Sequence, residues 1–410
     1  MNTQGTKKTA VMIGAGNIGR GFVGAAFATS GYEVVFIDVD EDLVDEINSR
    51  REYPVRILLP GGEYTETIIH GVRAVSGKDR GATATELSRA DICATAVGVR
   101  ALPLIAPELA LGLALRSRNE MPPLNIIVCE NLIDAGSRLR EHVRDVLPSE
   151  LEAVVDSTTG YPEAVIGRMV PIQTDEMKDG DPLRVCVEKY SFLPVDKAAF
   201  RGDIPKIEGM VPLDKFEYYV KRKLFIHNLG HAASAYLGLL KGYTYIAEAM
   251  EDADILYMTS GAMRESAAAL NCENPGDAAN LSRSIDSLLY RFSNKALGDT
   301  CARVAADPAR KLGNNDRIIG ALINCERFGL PFTYISAIAA AAALILEKTH
   351  SEKEDIPNLA EITGLSPGSN AYKTIMTLGT TCASAAVRGD DAVATLRLSA
   401  IKNAGDITIL

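Results

Sequence analysis

A lysine, an asparagine and a histidine occur together in one stretch just past the middle of the chain. The stretch is Lys223-Leu-Phe-Ile-His-Asn-Leu-Gly-His231, which puts an amine, an amide and an imidazole at offsets 0, +5 and +8. On an α-helix at about 100° per residue, these offsets fall at about 0°, 140° and 80°, so one face carries all three side chains. A lysine beside neutral hydrogen-bond donors can exchange a proton with a hydroxyl or carbonyl oxygen. The alternative is a solvated Lys223, a surface Asn228 and a core His231.

The first forty residues favour the chemical interpretation, because they have the pattern of a dinucleotide-binding unit. An apolar run over 9–13 predicts a buried parallel strand, and the glycine-rich segment Gly14-Ala-Gly-Asn-Ile-Gly19 follows it directly. Residues 20–28 have a helical pattern, and 33–37 predict a second strand that ends at Asp38. The order of strand, glycine turn, helix, strand and acid is typical of a Rossmann-type fold.

Each residue of this pattern has an expected role toward a bound dinucleotide. Gly14 allows the tight turn, Gly16 lets the pyrophosphate approach the backbone, and Gly19 lets the helix pack on the strand. The amide groups of the helix start, at Asn17 and Ile18, favour phosphate. The carboxylate of Asp38 can bind the ribose hydroxyls and would repel a 2′-phosphate, so the sequence predicts NAD rather than NADP.

Two further strands are predicted over 91–97 and 125–129, with helices after Arg100 and after Asn131. Gly98 and Asn131 therefore lie at the carboxyl ends of parallel strands, where ligands bind in open sheets. We expect both to contact the cofactor, and Asn131 to reach the substrate as well. The alternative role for Asn131 is a helix N-cap.

The pattern changes after about residue 181. Residues 183–188 alternate as in a strand, and a glycine- and proline-containing stretch over 202–212 then marks a domain junction. We therefore predict an α/β domain with a Rossmann-type parallel sheet over 1–205, followed by a mostly helical domain over 206–410. The predicted helices span 213–240, 243–271, 277–296, 313–328, 331–348, 355–363 and 368–388.

Composition limits the class of partner. The 410 residues carry a net charge of −10, which argues against nucleic acid or an anionic membrane as a partner. The seven cysteines are widely spaced and odd in number, which indicates reduced thiols in the cytoplasm. His227 and His231 have the spacing of a helical metal pair, but no HExxH motif or cysteine cluster accompanies them, so we expect no metal.

Two blocks of sequence resemble a known family. Gly14-Ala-Gly-Asn-Ile-Gly-Arg-Gly21 and Lys223–His231 together are similar to the polyol-specific long-chain dehydrogenase/reductase family. The resemblance runs from about residue 9 to residue 340 and includes Asn125-Ile-Ile-Val-Cys-Glu-Asn131 and Arg310-Lys-Leu-Gly-Asn-Asn-Asp-Arg317. One departure is Gly167-Arg168, where the family commonly has an Asp-Arg pair.

The resemblance implies an NAD-dependent oxidation of a secondary alcohol without a metal, by a monomer or weak dimer. Lys223 resembles the general base, and Asn228 and His231 resemble the groups that hold the substrate oxygen. The substrate that the resemblance favours is D-mannitol 1-phosphate, interconverted with D-fructose 6-phosphate. The cations that we expect to bind its phosphate are Arg310, Lys311, Arg317 and, as a weaker candidate, Arg168.

Several alternatives remain at this point. Within the family, the substrate could be a hexuronate such as tagaturonate or fructuronate, or unphosphorylated mannitol. Tyr219 and Lys223 have the Tyr-xxx-Lys spacing of short-chain dehydrogenases, although those chains lack a large helical domain. A protein that senses NAD without catalysis would bind the cofactor and be indifferent to Lys223→Ala.

Overall fold

Five apolar residues, Thr9–Ile13, form the strand around which the first part of the molecule is built. The computed structural model describes residues 7–350 and 358–404. Its strands are β1 Thr9–Ile13, β2 Glu33–Asp38, β3 Glu52–Leu58, β4 Tyr64–His70, β5 Val72–Ser76, β6 Ile92–Thr95, β7 Leu124–Val128, β8 Thr159–Gly160, β9 Val185–Glu188, β10 Leu193–Asp196 and β11 Met210–Leu213.

The main sheet has six parallel strands in the order β5-β2-β1-β6-β7-β8. Side chains of β1 alternate between two apolar clusters, with Ala10 and Met12 in one and Val11 and Ile13 in the other. Both faces of the sheet are therefore covered, which explains the continuous apolar run in the sequence. The direction of strand addition reverses between β1 and β6, and ligands bind at such a switch point.

The helices of this first part confirm the predicted alternation of strand and helix. They span Gly19–Gly24 and Ala25–Thr29, Glu41–Arg50, Arg80–Arg89, Val99–Ala101 and Leu102–Arg118, Ala135–Arg144, Ser149–Thr158 and Asp175–Lys178. The segment Gly19–Gly24 is a π-helix, and helical structure already begins at Asn17. The helix predicted over 20–28 is thus longer than expected and contains an irregular turn.

Two smaller sheets lie outside the predicted pattern. Strand β3 pairs antiparallel with β4 and parallel with β9, and β10 pairs parallel with β11. Only β9 corresponds to a predicted strand, over 183–188. The hairpin of β3 and β4 has an exposed outer strand, and Pro54 lies within β3, so neither strand has a clear alternation of apolar and polar residues.

The described residues from Phe216 onward are mostly helical, as predicted. Their helices span Phe216–Arg222, Lys223–Asn228, Leu229–Lys241, Ile246–Glu251, Ala253–Glu273, Ala278–Phe292, Lys295–Leu297, Cys301–Ala305, Pro308–Lys311, Ile319–Arg327, Thr333–His350, Leu359–Thr363, Asn370–Arg388 and Ala392–Ala404. Three of these were not predicted, namely Cys301–Ala305, Pro308–Lys311 and Ala392–Ala404. The predicted helix over 355–363 lies partly outside the described residues, since 351–357 are not described.

The predicted helix over 213–240 needs a correction at its start and in its middle. Residues 210–213 belong to β11, and the helix begins at Phe216. The six residues Lys223–Asn228 form a π-helix rather than an α-helix. The α-helical angle per residue assumed for this stretch is therefore wrong, because a π-helix pairs residues i and i+5.

The chain forms two compact units, and the boundary between them lies between Tyr219 and Val220. The domain division between residues 205 and 206 expected from the sequence stays a prediction. Among residues 7–350 and 358–404, no helix combines the length and the apolar character needed to cross a bilayer. The longest apolar run, over 335–346, lies inside the helix Thr333–His350.

Candidate active site

The three glycines of the turn after β1 have two different physical roles. Gly14 has φ +95°, and a Cβ atom there would lie 2.5 Å from the carbonyl oxygen of Ala96. A Cβ atom on Gly19 would lie 1.9 Å from the carbonyl oxygen of Gly14. Apart from Gly16 itself and its two chain neighbours, no heavy atom of the described residues lies within 4 Å of the position that a Cβ atom on Gly16 would occupy. The first and third glycines thus permit close packing, and the second leaves room for a ligand.

The first turn of the following helix is open to solvent at Asn17 and half-buried at Ile18. The backbone N–H of Arg20 donates to the carbonyl of Gly16 at 2.9 Å, so the helical hydrogen bonds begin there. The earlier N–H groups of the turn precede the helical ladder and are suited to bind an anion. Gly16, Asn17 and Ile18 thus form this turn, and their contact with a cofactor stays a prediction.

Asp38 ends β2 beside this turn. Its Oδ2 accepts a hydrogen bond from the backbone N–H of Ala15 at 2.6 Å, and its Oδ1 accepts one from the N–H of Asp40 at 3.1 Å. These bonds fix the carboxylate against the glycine turn. A carboxylate has about four acceptor positions, so two remain for ribose hydroxyls.

A cavity of about 410 Å³ opens at this edge of the sheet. Gly14, Gly16 and Asp38 line it, together with residues that follow β6, among them Val97 and Leu104. Its walls are mostly apolar and it holds few polar groups, as is typical of a site for a flat aromatic ring with a polar attachment. These residues fit the adenosine half of a dinucleotide.

The loop after β6 is held by Glu130, a buried residue that follows β7. Its carboxylate accepts hydrogen bonds from the backbone N–H groups of Val97 at 2.9 Å and Gly98 at 2.8 Å. Gly98 has φ +85°, a conformation that favours glycine. Asn131 is the next residue after Glu130 and is exposed at the same edge. Gly98 and Asn131 thus lie at the carboxyl ends of neighbouring strands, as expected.

In the helical unit, the π-helix carries Lys223 at its start and Asn228 at its end. Single π-helical turns often occur at functional sites, because the wider turn re-aims side chains. Lys223 and Asn228 are the first and last of the six residues, and His231 lies one α-helical turn further on. The three are therefore successive along one continuous helix, on a backbone that differs from a regular α-helix.

Lys223 is electrostatically unusual. Burial of its ammonium group and, as a second cause, the positive charge of Arg317 lower the pKa of Lys223 from 10.5 to about 8. Desolvation disfavours the charged form of an amine, and a nearby cation acts in the same direction. A lysine with this pKa exists partly as a neutral amine near neutral pH, as a general base requires.

His231 is held on two sides. Its Nε2 lies 2.9 Å from Oδ2 of Asp299. Its ring stacks on Phe292, with the ring centroids 5.1 Å apart and the planes 10° apart. His227 lies four residues before His231, inside the π-helix. Burial lowers the pKa of the His227 imidazole well below its ordinary value, so this ring is neutral. Among the described residues, no group of three or more acidic, histidine or cysteine side chains has the arrangement of a metal site.

The family of the chain follows from comparison with known proteins. A model described as the mannitol dehydrogenase Rossmann domain matches residues 8–209, and one described as the mannitol dehydrogenase C-terminal domain matches 215–371. The chain belongs to the mannitol dehydrogenase family. This confirms the resemblance inferred from the glycine turn and the Lys223–His231 stretch, and the short-chain alternative based on Tyr219 is wrong.

Curated members of the mannitol dehydrogenase family are similar over most of the chain. The mannitol-1-phosphate 5-dehydrogenase of Brevibacillus brevis is 40% identical over 335 residues, which cover 82% of this chain and 85% of that protein. The protein of the same name from Bacillus pumilus is 36% identical over 377 residues, covering 90% of this chain and 98% of its own.

Solved structures of distant relatives share the fold. A D-sorbitol dehydrogenase in substrate-free form has a TM-score of 0.77 at 17% identity, covering 94% of this chain and 95% of its own. The mannitol 2-dehydrogenase of Pseudomonas fluorescens, in a ternary complex with NAD and D-mannitol, has a TM-score of 0.71 at 16% identity, covering 97% and 95%. At these identities the likeness concerns the mannitol dehydrogenase fold alone.

The cations predicted to bind a phosphate have different surroundings in this structure. Arg310 is exposed and bonded to Asp307 at 2.7 Å and to Asp316 at 3.0 Å. Lys311 is buried and donates to the carbonyl of Ala306, and burial, followed by the charge of Arg317, lowers its pKa to about 8. Arg317 donates from Nε to Asp316 at 2.8 Å. Of the three, Arg317 is the one whose charge acts on Lys223.

Arg168 has structural contacts within the first unit. Its guanidinium donates to the carbonyl oxygens of Tyr190 and of Gly21, the latter at 2.8 Å, and lies 4.7 Å from the ring centroid of Phe22. Burial lowers the pKa of Arg168 to about 10. These contacts attach the segment around residue 168 to the π-helical turn after the glycine motif. A role for Arg168 in binding substrate stays a prediction.

Sequence reasoning missed two residues of this site, Glu130 and Asp299. Glu130 precedes Asn131, but the backbone groups that it binds lie after another strand, so no local pattern in the sequence indicates its role. Asp299 lies far from His231 along the chain, in an irregular segment between two helices. No local pattern in the sequence connects it to that histidine.

Proposed function

We propose that this protein is an NAD-dependent dehydrogenase that interconverts D-mannitol 1-phosphate and D-fructose 6-phosphate. The observation that carries the proposal is the lowered pKa of Lys223, about 8, in a segment that also holds Asn228 and His231. Relatives named mannitol-1-phosphate 5-dehydrogenase, 36–40% identical over most of the chain, support the choice of substrate.

The cofactor of this reaction is NAD, which we assign to the glycine turn of the first unit. The backbone N–H groups of Gly16, Asn17 and Ile18 would hold the pyrophosphate, and Gly14 and Gly19 would shape the turn that presents them, since the N–H of Gly14 already donates to the carbonyl of Ile37 at 2.8 Å. Asp38 would bind the ribose hydroxyls, and Gly98 and Asn131 would contact the cofactor from the neighbouring strands. A 2′-phosphate would meet the carboxylate of Asp38 at the same place, which disfavours NADP.

The side chains of the helical unit move the proton. The chemistry that bound NAD⁺ would supply is acceptance of the hydride from the carbon that carries the reacting hydroxyl. Neutral Lys223 takes the hydroxyl proton as general base, the amide N–H of Asn228 donates to the oxygen and stabilises the charge that develops on it, and His231 contacts and orients that oxygen. In the reverse direction, protonated Lys223 donates its proton to the carbonyl oxygen of fructose 6-phosphate.

Arg317 is the cation that we propose for the substrate phosphate. Arg310 already shares its guanidinium between Asp307 and Asp316, and Lys311 is buried against a backbone carbonyl. Arg317 is half-buried, and its charge acts on Lys223. A guanidinium binds phosphate through paired hydrogen bonds, which suits this role. Arg310 and Lys311 would contribute through their charge.

A substrate panel tests the proposal. Purified protein is assayed by NADH absorbance with D-mannitol 1-phosphate, D-mannitol, tagaturonate and fructuronate, each with NAD(H) and NADP(H). We expect kcat/KM for mannitol 1-phosphate to exceed that for mannitol by at least about 100-fold, because a hydrogen-bonded charged contact contributes about 1.5–3 kcal/mol and the phosphate makes more than one. Equal use of the two polyols, or faster reduction of a hexuronate, would contradict the assignment.

The cysteines and the net charge support proposals about the cellular location and the partners of the protein. We propose that the protein works in the cytoplasm, since all seven cysteines are free thiols. The net charge of −10 argues against a nucleic acid or membrane partner, and the family resemblance implies a monomer or weak dimer. Size-exclusion chromatography with light scattering measures the oligomeric state.

A further inference from the structure

Asp299 is the residue whose placement goes beyond the proposed reaction. Its side chain is 12% exposed, and its carboxylate lies between two partners. Oδ2 is 2.9 Å from Nε2 of His231, and Oδ1 accepts a hydrogen bond from Nε of Arg303 at 2.9 Å. A largely buried carboxylate with both oxygens engaged by cationic or polar donors is fixed in orientation.

The backbone around Asp299 is fixed as well. Its carbonyl accepts a hydrogen bond from the N–H of Ile246 at 2.9 Å, and the N–H of Cys301 donates to the carbonyl of Thr244 at 2.9 Å. These bonds attach the segment that carries Asp299 to the start of the helix Ile246–Glu251. Asp299 therefore approaches His231 from an anchored segment rather than from a mobile loop.

The ring of His231 is determined by these neighbours. Phe292 stacks on one face of the imidazole, and Asp299 engages Nε2. An imidazole that donates Nε2–H to a carboxylate has only Nδ1 left for another partner, and the partner of one ring nitrogen sets the tautomer of the other. Burial alone would raise the pKa of Asp299, but the hydrogen bond from His231 and the charges of His231 and Arg303 hold it below its ordinary value. The acid is thus ionised and accepts the proton of Nε2–H.

We propose that Asp299 is a positioning residue that holds His231 with Nε2–H toward the carboxylate and Nδ1 toward the substrate oxygen. The inference rests on the proposed function, in which His231 contacts that oxygen. Asp299 does not touch the substrate and acts only through the imidazole. Its removal would leave His231 free to rotate and to adopt the other tautomer, so that fewer molecules have the reactive arrangement.

A double-mutant cycle separates this role from a merely structural one. We expect Asp299→Asn to lower kcat for mannitol 1-phosphate by about 10- to 100-fold, as for other residues that orient a functional imidazole, with KM for NAD⁺ unchanged. In a His231→Ala background, the same substitution should lower kcat by less than about twofold, because the group through which it acts is gone. Asp299→Glu, which keeps the carboxylate, should recover part of the loss.

Asp286→Asn is the matched control. Asp286 is 62% exposed and bonded to Arg264 at 3.1 Å, so the variant also removes a paired carboxylate from the helical unit. We expect its kcat to equal that of the parent protein. A loss as large as that of Asp299→Asn would show that the charge change itself, rather than the contact with His231, is responsible.

The outcomes distinguish this inference from the proposed function. If His231→Ala turns over mannitol 1-phosphate like the parent, the assignment of His231 fails and the inference fails with it. If His231→Ala has a lowered kcat, but Asp299→Asn lowers kcat by the same factor in both backgrounds, only the inference is overturned. Nitrogen-15 NMR of the unsubstituted protein gives an independent test if Asp299→Asn does not fold. A neutral His231 that carries its proton on Nδ1 would refute the proposal, and one that carries it on Nε2 would support it.

Discussion

The pH dependence of turnover gives a quantitative test of Lys223 as the general base. Its pKa of about 8, against 10.5 for an ordinary lysine, leaves about one-tenth of the amine neutral at pH 7. An unperturbed lysine would be neutral in only about one molecule in 3,000 at that pH. The lowered pKa therefore raises the concentration of competent base by about 300-fold at neutral pH.

The assay follows kcat/KM for oxidation of mannitol 1-phosphate between about pH 6.5 and 10. The second pKa of a phosphate monoester is about 6, so the substrate charge changes little in this range. We expect kcat/KM for oxidation to rise about tenfold per pH unit below 8 and to level off above it. Reduction of fructose 6-phosphate should show the opposite dependence, because it requires protonated Lys223.

Substitution of the lysine identifies the group that titrates. Lys223→Ala should lower kcat for oxidation by about 10²- to 10⁴-fold and remove the rise below pH 8. Lys221→Ala is the matched control, since this lysine is two residues away, 45% exposed and paired with Glu273 at 3.0 Å. A rise with the same midpoint in Lys223→Ala, or a midpoint near 10.5 in the parent, would refute the assignment of the base.

Three further predictions concern other charged groups. Arg317→Gln removes a positive charge near Lys223, so the midpoint of the pH profile for oxidation should move to higher pH. Because Arg317 is also the proposed phosphate ligand, the preference for mannitol 1-phosphate over mannitol in kcat/KM should fall by about 10- to 100-fold. Asp38→Asn should raise the ratio of NADP⁺ to NAD⁺ use by about tenfold or more, because the repulsion of the 2′-phosphate is lost; an unchanged ratio would contradict the role of Asp38. Burial raises the pKa of Glu265 to about 7. The free energy of unfolding should therefore fall by about 3 kcal/mol as pH rises from about 4.5 to 7. Urea unfolding of Glu265→Gln should show no such fall over this pH range.

The parts of the fold that the sequence predicted correctly depend on local patterns. Residues 9–38 contain a buried strand, a glycine turn, a helix and a second strand in direct succession, and each signal lies within a few residues of its cause. The helical half was equally recognisable from its apolar spacing. The hairpin of Glu52–Leu58 and Tyr64–His70 was not recognised, because its outer strand is exposed and its inner strand contains Pro54.

The geometry of the candidate site was less accessible to sequence reasoning. The residues Lys223, Asn228 and His231 were identified by type and spacing, but their π-helical backbone was not. A π-helix differs from an α-helix by one residue per hydrogen-bonded turn, and tertiary packing rather than composition decides between them. Asp299 depends on a contact between distant segments, and Glu130 on backbone groups of another strand, so neither has a local signature.

Product analysis after treatment with a chelator tests the central claim most directly. The protein is dialysed against a chelator and mixed with mannitol 1-phosphate and NAD⁺, and NADH and fructose 6-phosphate are then measured in the same sample. We predict equal amounts of the two products and the same rate as before dialysis, since Lys223 supplies the base without a metal. Loss of turnover that zinc restores, or NADH formation without fructose 6-phosphate, would contradict the account.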